Sequence, residues 1–142
     1  MVRIELMEWS KAREEASRIR FTVFVEEQGV PREIEIDDRD ADCVHAIARL
    51  AGRAVGTGRL LPDAHIGRMA VLKEARGGGV GGLLLESLVA RARERGDREV
   101  VLSAQVHAIP FYARHGFAAF GPAYEEAGIP HQDMRRSLER SV

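Results

Sequence analysis

Arg76 is followed by Gly77, Gly78, Gly79, Val80, Gly81 and Gly82, directly ahead of a leucine-rich run; five of the chain's 14 glycines fall within six positions. Glycine in a helix interior is about 0.5–1 kcal/mol less favourable than alanine, so its concentration at a helix entrance calls for a use. The first-turn N–H groups of a helix have no internal partners, and the helix dipole places partial positive charge there. A glycine lead-in lets a phosphate reach those N–H groups without meeting side chains. One such contact contributes about 0.3–1 kcal/mol when exposed, so several must converge. Gly77 to Gly82 can supply them, with Arg76 as a charged donor at the rim. The bland alternative is a tight strand-to-helix turn, for which two glycines would suffice.

The identity of the phosphate is narrowed by what surrounds the glycines. A nucleotide P-loop needs Gly-Lys-Ser/Thr, whereas Gly81 and Gly82 lead into Leu83 and Leu84. Gly77, Gly79 and Gly82 do match the dinucleotide spacing G-x-G-x-x-G, but no acid ends the next strand to bind a ribose, so dinucleotide binding is a distant second. Other chemistry finds little support. Cys43 lies early on a predicted strand with no nucleophile constellation around it, and reads as core. The histidines at 45, 65, 107, 115 and 131 lack metal spacing, so no metal is expected. From Glu26 to Asp42 the chain is strongly acidic; such a run is usually a solvated face, and otherwise an acidic rim that attracts a cation. Arg59 and Arg68 sit on predicted central strands, where buried arginine needs an anion. They pair with the acidic segment or bind a carboxylate or phosphate on a substrate.

The elements that must position these groups follow from periodicity. Residues 2–7 alternate as a first strand. Ser10 is the expected N-cap of a helix burying Ala12, Ala16, Ile19 and Val23, fading by Gly29 to Pro31. Residues 32–42 read as a loop with a short helical turn. Strands at 43–51 and 54–61 flank Gly52 and Arg53 as a hairpin, and 65–72 is a further strand. Alternation would set His65, Gly67, Met69 and Val71 on one face. The glycine-led helix buries Leu84, Leu85, Leu88, Val89 and Ala92 and ends near Gly96. Residues 98–104 form an almost wholly apolar strand, expected to be covered on both sides. A short helix at 109–115 and strands near 116–121 and 132–138 close the chain. The expected fold class is α/β (α+β): a mixed, mostly antiparallel sheet of about six or seven strands with helices on both faces.

At 142 residues and 15.7 kDa, with 45% hydrophobic residues, the chain reads as one domain, 1–142. A net charge of −1 argues against bulk capture of nucleic acid or anionic membrane. The N-terminal stretch carries charges where a signal peptide needs an apolar segment, so a cytoplasmic protein is expected.

Four segments together resemble the GNAT superfamily of acetyl-CoA-dependent N-acetyltransferases, in its bacterial ElaA-like branch. Arg76, Gly79 and Gly81 meet the superfamily's pyrophosphate signature Gln/Arg-x-x-Gly-x-Gly/Ala, after a strand ending Met69-Ala70-Val71. FYARHGF at 111–117, VFVEEQGVP at 23–31 and GIPHQDM at 128–134 also look like that branch. The resemblance covers nearly the whole chain.

It implies direct transfer of acetyl from acetyl-CoA to a primary amine of a small molecule or peptide, without metal or acyl-enzyme, in a monomer or homodimer. It also implies that the strand before the glycine loop splays from its neighbour. The backbone of Met69, Ala70 and Val71 would then hold the pantetheine, with the Val71 N–H polarising the acetyl carbonyl. Cofactor contacts would come from Arg76, Gly77 to Gly82 including Val80, His107, Phe111 and Tyr112. Tyr112 matches the superfamily's general acid. His107 departs from the asparagine common at its position. His65 occupies roughly the place of a base, with Glu27, Glu33, Glu35 and His131 as rivals; Glu27, Arg59, Arg68 and His131 border the acceptor. The alternative is a module that binds acyl-CoA as a sensor and transfers nothing.

Overall fold

The structure, a computed structural model, describes residues 1–35 and 37–139. Strand β1 (Val2–Met7) leads into helix α1 (Trp9–Arg20), which continues without a break as a π-helical segment, Phe21–Glu27. Glu8, not Ser10, is the N-cap: Ser10 lies within the first turn and its Oγ donates to Glu8 Oε1 at 3.0 Å. The stripe Ala12, Ala16, Ile19 and Val23 is buried, and the turn predicted at Gly29 follows the π-helical segment directly. A short helix α2 (Arg32–Glu35) and a 3-10 turn (Asp40–Asp42) occupy the acidic stretch, in which Ile36 lies outside the described residues.

The hairpin of β2 (Val44–Leu50) and β3 (Arg53–Leu60) turns at Ala51 and Gly52, both at positive φ. That pair of left-handed residues gives the twist a two-residue hairpin prefers. Strand β4 (His65–Val71) and a 3-10 turn (Lys73–Ala75) precede helix α3 (Val80–Glu94). Strand β5 (Glu99–Gln105), a 3-10 turn (Val106–Ala108) and helix α4 (Ile109–Arg114) follow. Strands β6 (Ala118–Ala119), β7 (Tyr124–Glu126) and β8 (Ile129–Ser137) complete the sheet. β7, at 124–126, is one strand more than the sequence predicts.

The order is β1-β2-β3-β4-β5-β8-β6, with β7 also paired to β8. Every pairing is antiparallel except β4 with β5. Helix α3 covers one face through Leu84, Leu85, Leu88, Val89 and Ala92, all fully buried, which lie against Val55, Leu60, Val100, Leu102 and Met134. Helix α1 covers the other over a smaller core that includes Ile47, Ala54, Ala70 and Leu72. Strand β5 does not have both faces covered. Its burial alternates, with Ser103 exposed between buried Leu102 and Ala104, because α1 stops short of β5 and leaves a concavity on that side. Among the described residues no helix is long and apolar enough to cross a membrane.

Candidate active site

The opening in the sheet originates in β4. Thr57 pairs with Ala70 and Arg59 with Gly67, so Gly58 alone faces two residues, Arg68 and Met69. Such a bulge bends its strand and re-aims side chains. Gly58 makes room for it: a Cβ there would lie 2.5 Å from Met69 Sδ. Arg68 takes the left-handed conformation, φ +50. The bulge also reverses the alternation. Ile66, Met69 and Val71 pack toward α3, whereas Ala70 and Leu72 pack toward α1. His65 therefore does not share a face with Met69 and Val71, contrary to simple period-two counting.

Pairing of β4 with β5 stops after His65–Val101 and Ile66–Leu102. Beyond Ile66 the strands splay. The Leu72 N–H bonds Val55 O in β3 at 2.8 Å, so backbone alternation turns the Val71 N–H the other way, into the gap. Two concavities meet here, sharing Met69, Ala70, Val71, Arg76, Ala108 and Tyr112 in their walls.

The first concavity lies over the glycine loop, and its lining includes Gly77, Gly79, Val80, Gly81, Gly82, Phe111 and His115. Gly77 and Gly79 have φ of +86 and +84, a region L side chains rarely enter. Gly79 caps α3, whose first internal bond runs from the Leu83 N–H to Gly79 O at 3.1 Å. The N–H groups of Val80, Gly81 and Gly82 therefore precede the ladder. No atom would lie within 4 Å of a Cβ at Gly77, Gly78 or Gly79, while one at Gly81 would approach Phe111 Cζ at 3.5 Å. The cradle is open outward and closed against α4, which fits a diphosphate lying across the helix end. Arg76 borders it, but its guanidinium is engaged: Nη1 and Nη2 donate to Glu27 at 3.0 and 2.7 Å, and Nε to Val71 O at 2.9 Å.

Tyr112 stands at the junction, half-buried, edge-on to Phe111 and Phe117. Burial pushes its phenol up to about 12, so it remains protonated at neutral pH. His107 is exposed and its Nε2–H donates to Gln105 Oε1 at 2.7 Å; Gln105 Nε2 in turn donates to Gln28 Oε1 at 2.8 Å. This Gln28–Gln105 bridge spans the rim and was not anticipated. The signal for it was the alternation of polar Ser103 and Gln105 with apolar Leu102 and Ala104, which marks a strand with one open face.

The second concavity, about 580 Å³, is walled by the π-helical segment, by β4 and by the β5–β8 side, with Val23, Glu27, Arg68, Ser103 and His131 among its lining. His65 is at its outer edge, with Nδ1 3.1 Å from Asp63 Oδ1. His131 stacks on Tyr124, and its Nδ1–H donates to Ile129 O at 2.7 Å, which leaves the Nε2 lone pair available. Glu33 is exposed and does not line either concavity.

Beneath this cavity part of the acidic stretch turns inward: Glu35, Asp37 and Asp40 face buried arginines, while Glu26, Glu33, Asp38 and Asp42 stay exposed as a solvated face. Arg59, 5% exposed, donates to Asp37 through Nη1 and Nη2 at 2.9 and 2.8 Å and to Asp40 at 2.8 Å. Arg20, 3% exposed, reaches Glu35 at 2.5 Å and Asp40 at 2.8 Å. The Arg59 hydrogen bonds hold the Asp37 carboxyl far below its usual range. Burial works to raise Asp40, but Arg20 and Arg59 together hold it down. Cys43 is buried and its thiol is pushed up by that burial, in keeping with a core residue.

A mixed sheet that parts beside a glycine-led helix, with a half-buried tyrosine at the parting, defines an acyl-CoA-dependent acyltransferase fold. The match to an acetyltransferase (GNAT) domain runs over residues 10–138. The chain is 36% identical over 126 residues to the uncharacterized N-acetyltransferase YjcF of Bacillus subtilis, covering 86% of this chain and 90% of that one. Among solved structures it superposes on an acyl-CoA N-acyltransferase from Pseudomonas aeruginosa with a TM-score of 0.86 and 32% identity, covering 96% and 100% of the two chains. Escherichia coli ElaA gives the same TM-score at 29% identity, again covering 96% and 100%. The chain belongs to the GNAT acetyltransferase family and is an acyltransferase that draws its acyl group from a CoA thioester.

Proposed function

We propose that this single-domain, cytoplasmic enzyme transfers acetyl from acetyl-CoA directly to a primary amine of a small molecule or exposed amino group. The reading rests on one observation: the gap between β4 and β5 joins the glycine cradle to the second cavity, with Tyr112 and the Val71 N–H at the join. Acetyl-CoA supplies an activated acyl group; this chain's residues do the rest.

The cradle at Gly77 to Gly82 and a released Arg76 bind the diphosphate, and Phe111 closes the inner side. His107 borders the pantetheine path. The Met69 and Val71 backbone fixes the thioester in the gap, and positioning of this kind can contribute up to about 7–11 kcal/mol. The Val71 N–H is aimed where negative charge develops on the acyl oxygen, which a water-poor gap strengthens. Tyr112, which stays protonated at neutral pH, would donate a hydrogen bond to the departing sulfur and pass its proton only as negative charge builds there, since a phenol pushed up to about 12 is a weaker acid than a thiol of about 8.5 or above.

The acceptor ammonium must also lose a proton. With a pKa of about 10.4 it carries a handicap near 4.6 kcal/mol at pH 7. His131 is the favoured acceptor of that proton, because its Nδ1–H is committed to a carbonyl and its Nε2 is open. His65 is tied to Asp63, whereas Glu27, paired with Arg76, comes free when that arginine turns to the diphosphate and so stays a rival base.

Thermal-shift titration with acetyl-CoA, CoA, ATP and NAD(P), followed by thiol release against an amine panel, tests the reading. Only a ligand that binds the folded state raises apparent stability. A shift with acetyl-CoA and CoA and thiol release with an amine are expected. Binding without release from any amine would favour a sensor, and a shift with NAD(P) alone would overturn the donor.

A further inference from the structure

We propose that Arg68 is an anion-binding subsite, and that the acceptor is therefore an amine that also carries a carboxylate, as amino acids do. This rests on the acetyltransferase reading and narrows its substrate class.

Four observations point there. Arg68 is the single non-glycine residue of a strand held at positive φ among the described residues; Ala51, Ala64 and Ala127 lie in turns. Backbone held in that region needs a reason, and here the bulge directs a long cation into the wall of the acceptor cavity. Second, the carboxylates near it are already claimed. Glu35 is bound by Arg20, Asp40 by Arg20 and Arg59, and Asp37 by both terminal nitrogens of Arg59. Third, Arg68 receives only what is left. Its Nη2 reaches Asp37 Oδ2 at 3.2 Å and Glu35 O at 3.3 Å, its Nε is 3.9 Å from Glu35 Oε1, and that buried Nε has no hydrogen-bond partner among the described residues. Fourth, Arg68 lines the acceptor cavity and its side chain is 26% exposed, although its Nε is buried.

The terminal nitrogens of this planar guanidinium, Nη1 with no hydrogen-bond partner among the described residues and Nη2 with only its two long ones, match a carboxylate, which they can grip through two parallel bonds. A dianionic phosphate fits less well, since Glu35 and Asp37 stand against the same group and would repel the second charge. Burial and the charge of Arg59 both depress the Arg68 pKa, against the opposing pull of Asp37 and Glu35. Arg68, Val71 and Tyr112 line the same cavity, so a small molecule held at Arg68 shares that space with the gap.

The test uses matched acceptors that differ only in the carboxylate: lysine with cadaverine, and phenylalanine with phenethylamine. Thiol release is measured for the wild type, Arg68→Gln and Arg68→Lys. The wild type should favour the carboxylated member at least 10-fold in kcat/KM. Arg68→Gln should raise KM for that member at least 10-fold while leaving the decarboxylated member and acetyl-CoA within 2-fold, and Arg68→Lys should restore part of the difference. Should Arg68→Gln fold poorly, Arg68→Gly removes the charge and relieves the positive φ. Equal rates for the two members of each pair, or loss of both alike in Arg68→Gln, would overturn the subsite while the acetyltransferase reading stands. A direct titration of the free enzyme with each carboxylated amine, followed by NMR, reads the subsite without turnover. Saturable shifts absent in Arg68→Gln support it, and shifts unchanged in the variant refute it, even if no amine releases thiol.

Discussion

Arg76 holds two partners, Glu27 and the Val71 carbonyl, that a diphosphate bound as proposed must displace or share. The Glu27 pair is partly exposed, with the two side chains 43% and 31% accessible, and a pair of that kind is worth about 0–1 kcal/mol. Glu27→Gln should therefore tighten CoA binding by up to about 5-fold, read as a lower Kd in calorimetry. An unchanged Kd would mean that Arg76 never leaves Glu27. Tyr112 makes a different prediction, because its hydroxyl is proposed to act only as the thiolate departs. Tyr112→Phe should lower kcat by roughly 10²-fold and leave the Kd for acetyl-CoA where it was. With the phenol pushed up to about 12, loss of its proton should not turn the wild-type rate down below pH 10. A parallel loss of binding and turnover in Tyr112→Phe would recast the residue as packing.

At the scale of elements, the site depends on how closely α3 sits on β3. A Cβ at Gly56 would lie 2.9 Å from Leu84 Cδ1, 3.2 Å from Val80 Cγ1 and 3.3 Å from the backbone oxygen of Ala70. Gly56 also pairs with Val71 in the register. Gly56→Ala must therefore displace the Leu84 side chain and crowd Val80 and the Ala70 carbonyl by a few tenths of an ångström, an overpacking cost of about 1–3 kcal/mol. A fall in Tm accompanied by a higher KM for acetyl-CoA is expected; a fall in Tm alone would separate core packing from the cradle. Such contacts explain what was readable in the sequence. The α3 stripe and the glycine lead-in were legible because period 3.6 and glycine punctuation are local signals. The bulge at Arg68 was legible only as an option: Gly67 inside β4 permits one, but the space that fixes its place is offered by Gly58 on the partner strand. The same bulge undid the predicted alignment of His65 with Met69 and Val71. The open face of β5 was hidden for a related reason, since Val100 and Val101 read as a doubly covered run although α1 stops before reaching them. Ser10 misled because a serine before an apolar stripe looks like a cap, while Glu8 stands two residues earlier.

For the molecule as a whole, the sheet's α1 side is fastened by charge as well as by apolar packing, and acid should loosen it in two stages. His45, 1% exposed, sits against Trp9 and contacts Asp40 O through Nε2 at 2.9 Å. Burial depresses its pKa below 6.5, despite the opposing pull of Asp40. Above pH 6.5 the ring is neutral in both folded and unfolded chains, and its contribution is fully present. Below 6.5 the unfolded chain takes up a proton that the folded one resists, so stability falls as pH drops, by at most about 1.4 kcal/mol per pH unit for one group. Asp37 and Asp40 follow the same sign at lower pH. Both are depressed in the folded state from the ordinary 3.8, so the Arg20–Arg59 network holds above that value and is lost as the carboxylates are forced to protonate. Tm should therefore be level above about pH 7, decline between 6.5 and 5, and fall again below 4. His45→Asn should flatten the middle interval and leave the acid one unchanged. A wild-type Tm that stays level from pH 7 to 5 would show that His45 charges as readily inside the fold as outside it.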